Sequence, residues 1–435
     1  MTRFLKRAWA HILAGGFALL ILAPYGDLHA QTETVLHSFQ GAKKSDGAYP
    51  QAALLMDTAG NLYGTTPSGG GNGCDRHQGC GTVFKIAPNK TETVLYAFAG
   101  GNDGAYPLAG LIADSAGNLY GTTEQGGGGA ECPSGCGTVF RLAPDGTETV
   151  LYTFCSKANC ADGALPSAGL IADSASNLYG TTFGGGNKKS EGTVFKVAPD
   201  GGETVLYAFK GGKEDGANPS AGLIADGAGN FYGVTKWGGA GECSSAPFKG
   251  CGTVFKIASG GEAVLYAFQG YSKKDGAAPF GDLVMDRAGN LNGVTEYGGE
   301  NGTDELCTIT GLRGCGTLFQ VTSSGTETLR YSFCSVTNCT DGASPLAGLI
   351  ADQAGNLYGT TYFGGAANGG AVFELVADGT ETVLYSFDSL ANGIFPAAGL
   401  IADSAGNLYG TASEGGDYKC NKPTEGCGVV FEVTP

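Results

Sequence analysis

The chain runs to 435 residues, with 41 Asp and Glu against 25 Lys and Arg and a net charge of −16. So acidic a surface repels phosphate backbones and anionic lipid, which excludes nucleic acid as a partner. Glycine supplies 78 residues, yet 42% of the chain is hydrophobic and no long polar tract occurs, so a turn-rich fold is expected and disorder is not.

The first element in chain order is a targeting segment. Arg3, Lys6 and Arg7 make a basic start, an apolar run follows from Ile12 to Ala23, and Leu28-His29-Ala30 precedes a cut at Gln31. That is the three-part layout of a secretory signal peptide. The run is shorter than the roughly 20 residues that span a bilayer. Residues 1–30 are therefore expected to be removed, and no later segment is apolar enough to cross a membrane. The expected location is secreted or periplasmic.

From Glu33 onward one unit recurs. Glu-Thr-Val-Leu-Tyr-x-Phe or a variant ends at Phe39, Phe98, Phe154, Phe209, Phe268, Phe333 and Phe387. Gly-Asn-Leu-Tyr-Gly-Thr-Thr starts at Gly60, Gly117 and Gly355, with variants from Ser176, Gly229, Gly289 and Gly406. Gly-Thr-Val-Phe or a close variant begins at Gly81, Gly137, Gly192, Gly252, Gly316, Gly370 and Gly428, and the mean period is close to 58 residues. Each unit reads as four short strands, for example 109–114, 118–123, 137–142 and 148–154, rich in Val, Thr, Tyr and Phe. No window shows helical spacing. Four strands repeated seven times predict an all-β fold, a seven-bladed β-propeller over residues 31–435.

The two ends are complementary. The mature chain opens with a fourth-type strand, Glu33 to Phe39, and closes with a third-type strand, Val429 to Val433. The N-terminal strand is thus expected to complete the last blade and close the ring, hiding the sheet edges an open array would expose.

The string Gly-Leu-Ile-Ala-Asp-Ser-Ala-Gly-Asn-Leu-Tyr-Gly-Thr-Thr, followed by Gly-Thr-Val-Phe-Lys-x-Ala-Pro-Asp-Gly, resembles the GloVer (Gloeo/Verruco) tandem repeat of exported bacterial proteins. It is similar, more loosely, to the NHL-type propeller repeat. The resemblance implies a repeat architecture and carries no assigned chemistry.

Between strands the copies differ unequally. The first-to-second turn is Asp-x-Ala-x-Asn in every copy, whereas the second-to-third loops run from 8 residues (362–369) to 20 (296–315). Variable loops on a rigid scaffold are where function is expected. The fourteen cysteines fall into close pairs in loops of this same face: Cys74/Cys80, Cys132/Cys136, Cys155/Cys160, Cys243/Cys251, Cys307/Cys315, Cys334/Cys339 and Cys420/Cys427. With an export signal they are expected to be disulfides, since no Cys-x-x-Cys favours a zinc site.

Candidate chemistry is sparse. Asp-Gly-Ala-x-Pro supplies Asp46, Asp103, Asp162, Asp215, Asp275 and Asp341, with Asn392 in the seventh place. Carboxylates around a channel mouth would collect calcium; the alternative is that each caps its own turn and braces the next blade. Trp237, Phe248 and Tyr297, with Asp304 and Glu305 of the longest loop, would form an aromatic and acidic platform for a sugar; the alternative is that they pack loops onto blades. Only His37 and His77 survive processing, and no Ser-His-Asp arrangement can be argued. The expected function is an extracytoplasmic binding module for a glycan, an envelope polymer or a protein, monomeric and requiring no cofactor. The alternatives are a polysaccharide-active enzyme using paired carboxylates on that face and a structural surface protein.

Overall fold

A computed structural model describes residues 32–434 other than 72, 75–77, 129–130, 246, 302–306, 310–311, 417–419 and 421–425. The targeting segment expected at residues 1–30 lies outside the described residues. Within them the fold is all-β, with seven antiparallel blades of four strands each. Blade 2 shows the plan, from the innermost strand outward: Ile112–Ala113, Leu119–Thr123, Thr138–Leu142 and Glu148–Thr153. Among the described residues no helix is long and apolar enough to cross a membrane.

The ring closes as the chain ends predict. Blade 7 takes Ile401–Ala402, Leu408–Ala412 and Val429–Thr434 from one end of the chain and Thr32–Ser38 from the other. Val35 lies opposite Phe431 and Thr32 opposite Thr434 in an antiparallel pair. The seam to blade 1 is sealed by Thr411 Oγ1 donating to the Ala52 carbonyl (3.4 Å) and the Tyr49 amide donating to the Cys427 carbonyl (2.7 Å).

Repeated residues explain repeated packing. In the second strand, the glycine of Tyr-Gly-Thr lies opposite the phenylalanine of the third, as Gly121 opposite Phe140. A Cβ on Gly121 would stand 2.8 Å from Phe140 Cζ, so only glycine lets that ring lie flat on the sheet. The fourth-strand phenylalanine then meets the third-strand phenylalanine of the next blade edge to face. This contact recurs around the ring, from Phe39–Phe84 (5.1 Å) through Phe154–Phe195 (4.9 Å) to Phe387–Phe431 (5.0 Å). Such pairs add about 0.5–1.5 kcal/mol each beyond the area they bury. Each fourth strand also carries a bulge at the same place, between Val150 and Tyr152 in blade 2 and between Val35 and His37 in blade 7. A bulge strengthens twist.

The innermost strands are shorter than the sequence suggests. Only two residues pair in most blades, such as Ile112–Ala113, because the preceding Leu-Ala-Gly faces the central channel. Blade 5 differs: its first strand runs from Gly276 to Met285 and its second from Leu291 to Gly298.

Candidate functional site

The loop-bearing face is fixed at its cysteines. All seven expected disulfides are present, Cys74–Cys80, Cys132–Cys136, Cys155–Cys160, Cys243–Cys251, Cys307–Cys315, Cys334–Cys339 and Cys420–Cys427, and no cysteine is free. Rings this short restrain the unfolded chain by about 2 kcal/mol each. Their sequence separations of 4 to 8 residues pin single loops and do not join blades. In blades 2 and 5 two disulfides lie side by side, Cys132–Cys136 with Cys155–Cys160 and Cys307–Cys315 with Cys334–Cys339.

The Asp-Gly-Ala-x-Pro motif is blade-to-blade hardware. Its x residue has positive φ at every seam: Tyr49, Tyr106, Leu165, Asn218, Ala278, Ser344 and Phe395, between 53° and 61°. For non-glycine residues that conformation costs of order 1–2 kcal/mol. It aims the x amide across the seam, as Leu165 N–H to the Cys136 carbonyl (2.8 Å) and Ser344 N–H to the Cys315 carbonyl (2.7 Å). The following proline packs on the next glycine, where a Gly137 Cβ would meet Pro166 Cδ at 2.4 Å.

The motif's aspartates do not converge. Each accepts from its own loop and from an outermost strand, through a tyrosine in every case but Asp46. Asp162 takes Tyr152 O–H (2.7 Å) and Ser156 N–H (2.9 Å), and Asp275 takes Tyr266 O–H (2.8 Å), Gln269 N–H (2.7 Å) and Gly276 N–H (2.6 Å). Asp103, Asp215 and Asp341 accept from Tyr96, Tyr207 and Tyr331 in the same way, and Asp46 from His37. Anchored to outer strands, the six stand at separate seams, and among the described residues no two share a metal-sized cluster.

Of the residues of the expected platform, Trp237 and Tyr297 are packed into the blades. Trp237 and Tyr297 are each 5% exposed, because the second strands of blades 4 and 5 run on past the repeat and pair Trp237 with Ala217 and Tyr297 with Ala277. Phe248 stacks on Trp237, ring centroids 5.4 Å apart and planes 5° apart, and is itself partly exposed. Asp304 and Glu305 lie outside the described residues.

Three of the cavities among the described residues differ in chemistry. The central channel, about 310 Å³, is walled by the segments just before the innermost strands, such as Leu108-Ala109-Gly110 and Ser167-Ala168-Gly169. Its one ionisable lining residue is Asp282, where blades 2, 3, 4, 6 and 7 have glycine. Gly222 of blade 4 donates its N–H to Asp282 Oδ1 at 2.6 Å. The side chain is open to the channel yet enclosed by protein, and that desolvation pushes its carboxyl above 3.8. On the turn face a cavity of about 550 Å³ opens between blades 5 and 6, where Asn292 stands in place of tyrosine. On the loop face a groove of about 350 Å³ lies between blades 1 and 2, with Asn102, Tyr106, Gln125 and Ser134 in its walls and Cys74 and Cys132 at its edges. Asp282 escaped the sequence reading, although a copy-by-copy comparison marks it as plainly as Asn292.

The Gloeobacter/Verrucomicrobia repeat matches residues 26–175, 131–310 and 305–435. The chain belongs to that repeat family. No curated protein matches it. Among solved structures, virginiamycin B lyase from Staphylococcus aureus is similar with a TM-score of 0.54 at 13% identity, over 93% of this chain and 99% of that one. The extracellular domain of a one-component system from B. thetaiotaomicron is similar with a TM-score of 0.52 at 11% identity, over 93% of this chain and 40% of that one. At such identities the likeness shows the propeller fold alone. For this member of the repeat family the seven disulfides fit an oxidising, extracytoplasmic setting.

Proposed function

We propose that the protein is an extracytoplasmic binding module whose disulfide-pinned face takes a hydroxyl-rich polymer, a glycan or an envelope polysaccharide. The observation that carries this reading is the loop-face groove between blades 1 and 2. Two disulfides stiffen its rims, and Asn102 and Gln125 bring amide donors and acceptors to a space of about 350 Å³. Amide side chains suit sugar hydroxyls because each can donate and accept, and rigid rims lower the ordering cost of binding. Paired-acid cleavage gains no support from the channel, whose lining holds Asp282 without a second carboxylate.

The test is a glycan and polysaccharide array probed with and without calcium. The reading expects retention of one polymer class without shortening of its chains, and loss of retention in Asn102→Ala/Gln125→Ala. Phe248→Ala tests the blade 4 loop as the alternative place. Shortened chains would establish an enzyme, and a blank array would favour a protein ligand or a structural surface role.

A further inference from the structure

The seam where the chain's two ends meet differs from the other six in one residue. Elsewhere a fourth-strand tyrosine hydroxyl donates to the seam aspartate, or meets Asn392 in the case of Tyr385. At the closing seam that position is His37, on the N-terminal strand Thr32–Ser38. Its Nε2 stands 3.3 Å from Asp46 Oδ2. That hydrogen bond is long, the usual N–H···O span being 2.7–3.2 Å. Glu92, from the outer strand of blade 1, completes a group whose donor atoms all lie within 4.8 Å of one another.

We infer that His37 Nε2, an Asp46 carboxylate oxygen and a Glu92 carboxylate oxygen form a single divalent transition-metal site, zinc foremost, that fastens the ring-closing strand to blade 1. Four observations bear on it. Zinc holds nitrogen and oxygen at about 2.0–2.2 Å, so neighbouring ligands around a tetrahedral ion stand about 3.3–3.5 Å apart, and His37 and Asp46 already hold that spacing. Asp46 is 8% exposed and is oriented by the Gln40 and Gly47 amides at 2.8 and 2.6 Å, the outer support that ligating carboxylates require. Glu92 Oε1 is buried without a hydrogen-bond partner among the described residues, like the matching atom of Glu33, Glu148, Glu203, Glu262, Glu327 and Glu381, but at this seam an imidazole nitrogen and a second carboxylate stand beside it. At the seam between blades 2 and 3 a cation already pairs with the matching glutamate, Lys157 Nζ sitting 2.7 Å from Glu203 Oε2.

The donor set selects the ion. One imidazole nitrogen with two carboxylate oxygens suits zinc and its neighbours, whereas calcium wants six to eight oxygens. Two carboxylates and a neutral imidazole balance a divalent charge. His37 and Asp46 side chains keep 16% and 11% exposure, which leaves the fourth position to water.

The experiment is equilibrium dialysis and calorimetry of the EDTA-treated full chain against zinc, with cobalt absorption as a spectroscopic check. The expected result is one ion per chain and a melting temperature that rises with zinc. His37→Tyr restores the tyrosine of the other seams, so it should keep the fold in EDTA while weakening zinc binding at least roughly tenfold. Glu92→Gln should do the same and serves if the tyrosine variant misfolds. His77→Ala should leave binding unchanged. Wild-type affinity retained in both His37→Tyr and Glu92→Gln, or no stoichiometric ion in the wild type, would overturn the site.

Discussion

Blades 2 and 5 are built from one unit and use it differently. In blade 2, Tyr120 donates to Asp114 of its own turn (3.0 Å), and Thr122 donates to the Ala168 carbonyl of blade 3 (3.2 Å). In blade 5, Asn292 replaces the tyrosine, Val294 the threonine and Asp282 the channel glycine. Gln320 fills part of the gap by donating to Asn292 Oδ1 (3.1 Å) and Asp286 Oδ2 (3.3 Å). Yet both blades keep the threonine pair across strands two and three, Thr123–Thr138 and Thr295–Thr317, each at 2.8 Å, and both keep the glycine under phenylalanine. The frame therefore depends on few positions. The rest of the unit is free to change.

That contrast sets the size of each predicted effect. The largest belongs to the shared frame: Phe140→Ala in blade 2 and Phe319→Ala in blade 5 should each lower unfolding free energy by about 3–5 kcal/mol. Denaturant titration checks it, and a clear gap between the two blades would break the comparison. Removing one loop staple, as in Cys155→Ala/Cys160→Ala, should cost about 2 kcal/mol and leave the ring intact by circular dichroism.

A third effect is pH-dependent and shared by most seams. Burial first, then a neighbouring seam aspartate, pushes Glu148, Glu327 and Glu381 from 4.5 to about 7. Such groups hold protons in the folded ring where the unfolded chain has released them. Their contribution is therefore fully present below about 4.5 and is lost as pH rises through about 7. The turn aspartates act oppositely: hydrogen bonds from Asn177 and Asn230 lower Asp173 and Asp226 to about 2, so their contribution is lost only on descent below about 4. Melting temperature should thus peak near pH 4.5–5 and fall towards pH 8, with a shallower fall in Glu148→Gln. A profile rising to pH 8 would contradict this assignment. The smallest effect is Asn292→Tyr, which restores the repeat and should change stability by no more than about 0.5 kcal/mol while reducing the cavity between blades 5 and 6.

Much of the frame could be read from the residues. Strand count and ring closure follow from recurrence, because a repeated unit must satisfy the same contacts seven times, and the cysteine pairs follow from their close spacing within single loops. What escaped depends on how the chain bends in three dimensions. The short innermost strands hid behind Leu-Ala-Gly, which reads as strand but lines a channel. Trp237 and Tyr297 read as loop residues because the repeat ends at Thr235 and Thr295, whereas the strands of blades 4 and 5 continue. Asp46 and Asp103 read as neighbours on a rim because periodicity gives angular order and says nothing of radius. Their tyrosine and histidine partners on the outer strands hold each at its own seam.

Hydrogen exchange on the N-terminal strand tests ring closure most directly. The amides of 35–38 should exchange as slowly as those of 150–153 in blade 2, since both strands are the outer edge of a complete blade. Exchange of 35–38 at the rate of an unstructured peptide, with 150–153 protected, would mean that the ring is not closed by this strand.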